Sequence, residues 1–185
     1  DGTVRTEAEL VTKYREMALQ PECDSAIDEI VNESFSIDEE TIIDINLDDP
    51  TLESMVSPQI RKLIQDEFKN CLRLLDFNKY AYDIYRRWYI DGRIYYHVVV
   101  NDKDPKKGIQ ELRYIDPRKI RKVREVKKEK DPKTGADIIK SIAEYYVYSD
   151  RGTTTQTYGS SVNSGLRIAP ESIINVNSGL MDAKN

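Results

Sequence analysis

The sequence predicts an α+β fold in which N-terminal amphipathic helices pack on an antiparallel β-hairpin unit. Three observations carry this expectation. Apolar residues recur at helical spacing up to about residue 91, that period vanishes at Gly92, and short β-rich runs separated by Pro- and Gly-containing turns follow. The expected division is a mainly helical part, 1–91, with one short strand near 41–47. An antiparallel β part, 92–185, carries a flexible loop near 149–165, and together they read as one fragment of a larger subunit.

Each element has a local reason. Thr6 followed by Glu9 is a capping box, and Leu10, Val11, Tyr14, Met17 and Ala18 continue it as one apolar stripe. Pro21 suits the first position of a second helix, whose stripe is Cys23, Ala26, Ile27, Ile30 and Val31. The β-branched run TIIDINL predicts the strand at 41–47, and the stretch from Leu47 to Ser57, with Asp48, Asp49 and Pro50, predicts a loop. Ser57-Pro58 opens a strong helix with Ile60, Leu63, Ile64, Phe68, Cys71, Leu72 and Leu75 on one face. A break at Phe77-Asn78 precedes a further helix from about Lys79 to Ile90. Strands at 93–100 and 109–115 flank a turn with Asp104, Pro105 and Gly108. A second pair, about 120–128 and 138–148, flanks a turn at residues 131–135. A last strand, Ile173 to Val176, follows Pro170.

Composition narrows the function classes. The 185 residues include 33 acids and 28 bases, one His (His97) and two Cys (Cys23 and Cys71). Two distant cysteines make neither a disulfide framework nor a common metal cage, and on apolar helix faces they act as small hydrophobes. No apolar run approaches the roughly 18 residues of a membrane-spanning helix. The net charge of −5 hides a split, with residues 1–57 at −13 and residues 58–185 at +8 by residue count. Such asymmetry suggests different partners for different faces, or assembly between copies.

Catalytic signals are weak. Asp38-Glu39-Glu40 and Asp48-Asp49 read as solvated surface, without the glycine turn of a calcium loop. His97 has no neighbouring Ser, Cys or second His and reads as a strand residue with a hydrogen-bond partner. Ser160, Ser161 and Ser164 lack a strained elbow, and phosphate-cradling glycine motifs are missing. No catalytic residue, metal ligand or cofactor is expected.

Two segments rise above this background. Residues 78–97 hold six Tyr and the single Trp. Tyr82, Tyr85 and Tyr89 share one helical face with Trp88 beside them, and Tyr95 follows in the strand. These residues read as aromatic packing of a helix onto a sheet, or as an oligomer interface. Residues 118–133 hold nine bases, among them Arg118, Lys119, Arg121, Lys122, Arg124, Lys127, Lys128 and Lys130. Ile120, Val123 and Val126 interleave them. This strip is a candidate contact for another subunit, a capsid partner or DNA, with a solvated hairpin as the plain alternative.

Several runs together carry a family resemblance: CDSAIDEIVNESF, YRRWYIDGRIYYH, KKGIQELRYIDPRKIRKVRE, EYYVY and VNSGL. They resemble the portal vertex proteins of T-even-type tailed bacteriophages over nearly the whole chain, least so at about 150–165. The resemblance implies a homododecameric ring, the head-to-tail connector at one capsid vertex of the virion, assembled in the host cytoplasm. Its implied partners are other copies, the major capsid and scaffold proteins, the terminase packaging motor, neck proteins and double-stranded DNA. It implies roles in prohead initiation, DNA packaging, genome ejection and head–tail joining, without enzymatic activity. The chain would be the N-terminal-side wing portion, with the stem, clip and channel loop beyond Asn185. A competing expectation is a nucleic-acid-binding module using residues 118–133.

Overall fold

In the computed structural model, residues 6–35, 42–130, 137–150, 152 and 165–179 are described. Helix α1, Glu7–Met17, starts at the expected capping box: Thr6 N–H donates to Glu9 Oε2 at 3.0 Å and Glu9 N–H to Thr6 Oγ1 at 3.3 Å. Helix α2, Pro21–Glu33, begins on its proline. The expected strand at 41–47 does not form; Thr41 lies outside the described residues, and residues 42–49 have no regular structure. A strand requires a partner ladder, and here local bonds take its place. Asp44 Oδ1 accepts from Ile45 N–H and Asn46 Oδ1 from Asp48 N–H.

Within the expected loop, Pro50–Met55 forms a short helix, α3. Pro50 has the fixed φ of a helix start, and Leu52 and Met55 fall one turn apart. Helix α4, Pro58–Leu75, is capped by Ser57, and α5 runs over Phe77–Asp91. Their joint is Asp76, one residue earlier than the expected break, in left-handed conformation at φ 47°. Asp tolerates that region better than most residues. Gly92, at φ 70°, ends α5 and donates its N–H to Trp88 O at 2.9 Å.

The β part contains two three-stranded antiparallel sheets. Strands β1, Arg93–Val100, β2, Ile109–Ile115, and β6, Ile173–Asn177, form one sheet in the order β2-β1-β6. Strands β3, Ile120–Lys130, β4, Asp137–Tyr148, and β5, Leu166–Ile168, form the other in the order β3-β4-β5. The three-residue β5 has no sequence signal of its own and pairs with Tyr146–Tyr148. The expected loop at 149–165 lies largely outside the described residues, and the expected turn at 131–135 lies wholly outside them.

Alternation along β1 places its two faces in different layers. Tyr95 joins Ile115, Ile120, Tyr146 and Ile173 in a core where the two sheets meet, with Tyr148 and Ile168 packed against it. The Tyr95 and Tyr146 rings meet edge to face at 6.1 Å, a favoured aromatic geometry. Burial, aided by the nearby Glu7 charge, pushes the Tyr95 phenol up to about 12. On the other face, buried Ile94 and Tyr96 lie on the side of α5, and Arg87 of α5 stacks over Tyr114 at 5.2 Å. Among the described residues no helix is long and apolar enough to cross a membrane.

Candidate interaction surface

The basic strip lies in a 3-10 turn, Pro117–Lys119, and the strand that follows it. Cross-strand partners share a face, so the register of β3 with β4 sorts its side chains. One face carries Lys122, Arg124 and Val126, opposite Tyr146, Glu144 and Ile142. The other carries Arg121, Val123, Glu125 and Lys127, opposite Val147, Tyr145, Ala143 and Ser141. The three-residue spacing of Ile120, Val123 and Val126 therefore divides between faces.

Much of the positive charge is answered inside the chain. Arg118 grips Asp116 with Nε at 3.1 Å from Oδ1 and Nη2 at 2.8 Å from Oδ2. Lys119 Nζ lies 3.8 Å from Asp150. Lys122 Nζ is 2.7 Å from Glu144 Oε2, and Arg124 Nε is 3.9 Å from Glu144 Oε1. The hydrogen bond from Lys122, with its charge, holds the Glu144 carboxyl below its ordinary value and raises Lys122 in return. Arg121 and Lys127 have no ion pair among the described residues. Lys128 and Lys130 are placed only as strand positions.

Among the described residues the β3–β4 ribbon is two-stranded over most of its length, because β5 pairs only with the last three residues of β4. Two strands alone are marginally stable in water. Near its outer end, Val126 and Ile142 face each other, 40% and 48% exposed. The ribbon thus offers cations beside an apolar pair, which suits an acidic, partly apolar protein surface.

The aromatic segment is divided between layers. Tyr82 O–H donates to Asp28 of α2 at 2.5 Å, and Arg86 binds the same carboxylate at 3.2 Å and also pairs with Asp24. The hydrogen bonds from Tyr82 and Arg86 hold Asp28 below the usual carboxylate range. Tyr85 stacks edge-on with Phe35 and tilted against Trp88, each at 5.5 Å. These three aromatics clamp α5 to the α2 side, whereas Tyr95 enters the inter-sheet core and Tyr89 stays exposed.

Sequence reasoning missed a charged seam. Asp91, 1% exposed at the end of α5, accepts from Arg15 Nε at 2.8 Å and Nη2 at 2.7 Å. Arg15 Nη1 reaches Asp116 Oδ2 at 3.0 Å, and Asp116 accepts from Arg118 N–H at the start of its turn. Burial alone would raise Asp116, but hydrogen bonds from Arg118 and Arg15 outweigh it and hold the carboxyl well below the ordinary range. The hydrogen bond to Asp91 dominates in raising Arg15. Partners 76 and 101 residues apart leave no local motif to read.

The other sequence candidates stay apart. His97 is a half-buried β1 residue opposite Arg113, and Cys23 and Cys71 are free and half-buried. Asp48 and Asp49 precede α3, while Asp38, Glu39, Glu40, Ser160, Ser161 and Ser164 lie outside the described residues. Among the described residues no three His, Cys, Asp or Glu side chains converge as a metal site.

A family model described as "Bacteriophage T4-like portal protein (Gp20)" matches residues 7–185. The chain belongs to the T4-like portal protein family. This family is structural and non-enzymatic. The portal protein of Vibrio phage KVP40 is 35% identical over 185 residues, covering 98% of this chain and 34% of that relative. The portal protein of Salmonella phage ViI is 37% identical over 156 residues, covering 84% of this chain and 27% of that relative. This portal-family chain therefore spans between about a quarter and a third of the length of these relatives.

Proposed function

We propose that the chain is the wing portion of a portal subunit, one of twelve in a closed ring at a capsid vertex. There the ring initiates the prohead, passes DNA during packaging and ejection, and joins head to tail. The observation that carries this reading is the family match over residues 7–185. In it, copies of the chain are the direct partners, capsid and scaffold proteins meet its outer surface, and motor and neck proteins bind other parts of the subunit. Electron microscopy of the full-length protein should show closed twelvefold rings; monomers, open filaments or another ring number would overturn it.

The basic ribbon supports a protein contact better than a phosphate contact. Glu144 and Asp116 already answer Lys122, Arg124 and Arg118, whereas phosphate binding gains from unneutralised cations. A DNA titration across a salt series separates the two. The structural reading expects no binding by the full-length protein that depends on Arg121, Lys122, Arg124, Lys127 and Lys128. A steep salt-dependent affinity lost with those residues would favour the nucleic-acid module.

A further inference from the structure

Helix α4 carries an apolar stripe that the described residues cover only halfway. Phe68, Cys71, Leu72 and Leu75 are half-buried, but Ile60, Leu63 and Ile64 are exposed, Leu63 to 62%. Met55 at the end of α3 is also exposed, to 78%. With 3.6 residues per turn, Glu67 falls inside the same stripe, directly above Ile60, Leu63 and Ile64. Its carboxylate is exposed and receives a 3.4 Å hydrogen bond from Asn70. By the same geometry Lys62 and Lys69 lie on the far side of the helix. An acid set within exposed apolar residues matches a partner that brings a cation beside apolar groups.

The ribbon has that arrangement. Arg124 stands one cross-strand step from the exposed Val126–Ile142 pair, and it shares Glu144 with the closer Lys122. Of the two cations that share Glu144, it is the more readily released to another carboxylate. Both surfaces are exposed among the described residues, so they do not cover each other within this part of the chain. They are also different patches, and a contact between unlike patches is the kind that closes a ring.

We propose that the β3–β4 ribbon of one copy docks on α4 of the next. Val126 and Ile142 pack on Ile60, Leu63 and Ile64, and Arg124 pairs with Glu67. The partner is a second copy of this chain, and the proposal rests on the ring reading above.

Charge exchange in the full-length protein tests it. Glu67→Lys and Arg124→Glu should each lower the yield of rings at fixed concentration by about tenfold or more, equivalent to about 1.4 kcal/mol. The two substitutions together should restore most of that yield. Either single variant assembling normally, or the pair assembling no better than the singles, overturns the contact. Because Arg124→Glu also places an acid beside Glu144, a second measurement is independent of charge. Equal mixtures of Ile64→Cys and Val126→Cys proteins should give a disulfide-linked dimer on oxidation, beyond the background from Cys23 and Cys71. Background-level linkage in wild-type-like rings overturns the docking while leaving the ring reading intact. A wild type that forms no rings overturns the ring reading itself, and a cross-link in whatever oligomer remains would still support the contact. Loss of DNA binding in Arg124→Glu with unchanged ring yield would assign Arg124 to phosphate and also overturn the docking.

Discussion

The seam between the helices and the sheets differs sharply from the α3–α4 arm and the β3–β4 ribbon. At the seam the two acids Asp91 and Asp116 are answered internally. Asp91 is buried but held by two guanidinium nitrogens of Arg15, and Asp116 is gripped by two arginines. On the arm and the ribbon, large apolar side chains such as Met55, Leu63, Val126 and Ile142 stay in water. Hydrophobic burial is the main driving force for folding and association. On the docking proposed above, this chain has its stability in the closed region and its assembly surface in the one left apolar.

The strongest way to break this comparison is to open the seam. Arg15→Ala leaves Asp91 charged, buried and unpaired, and removing one partner of a buried pair costs about 3–5 kcal/mol. Urea denaturation of the full-length protein should show that loss in the portion containing this chain. A loss below about 1 kcal/mol would mean that water reaches Asp91 and the seam is not closed.

A smaller effect is expected at Asp116, and acid is the lever. Its folded value lies below the ordinary 3.8. Its contribution is therefore fully present above that ordinary value and is lost as pH falls through the lower folded one. Asp116→Asn should destabilise the protein by about 1–3 kcal/mol at neutral pH. The variant should also show a shallower decline in stability between about pH 4 and pH 2, since it removes one linked proton. Equal acid slopes for wild type and variant would show that the seam titrates elsewhere.

The same contrast explains what was legible in the sequence. Thr6 with Glu9, Pro21 and Ser57-Pro58 marked helix starts correctly because each satisfies its own nearby amides. The β1–β2 hairpin was legible because the turn chemistry of Pro105 and Gly108 is also local. The TIIDINL run misled because strand formation depends on a distant partner, which the described residues do not supply. Arg15 and Asp91 were invisible for the same reason. The basic strip was found as composition, but only the register of β3 with β4 showed which cations share a face and which are answered by Glu144.

The smallest effect on folding belongs to the arm, and it discriminates best between a surface left open for a partner and one merely packed loosely. Ile60→Ser with Leu63→Ser removes apolar groups that already face water, and surface changes of this kind usually stay within about 0.5 kcal/mol. Thermal melting of the dissociated subunit should therefore hardly move, while ring assembly should fall, because the removed groups lose their burial only between copies. The order of these two effects carries the distinction. If the subunit melts several degrees lower and assembly tracks that loss, the stripe contributes to folding and the contrast between seam and arm is false. If melting is unchanged and assembly falls, α4 gives its free energy to association rather than to the fold.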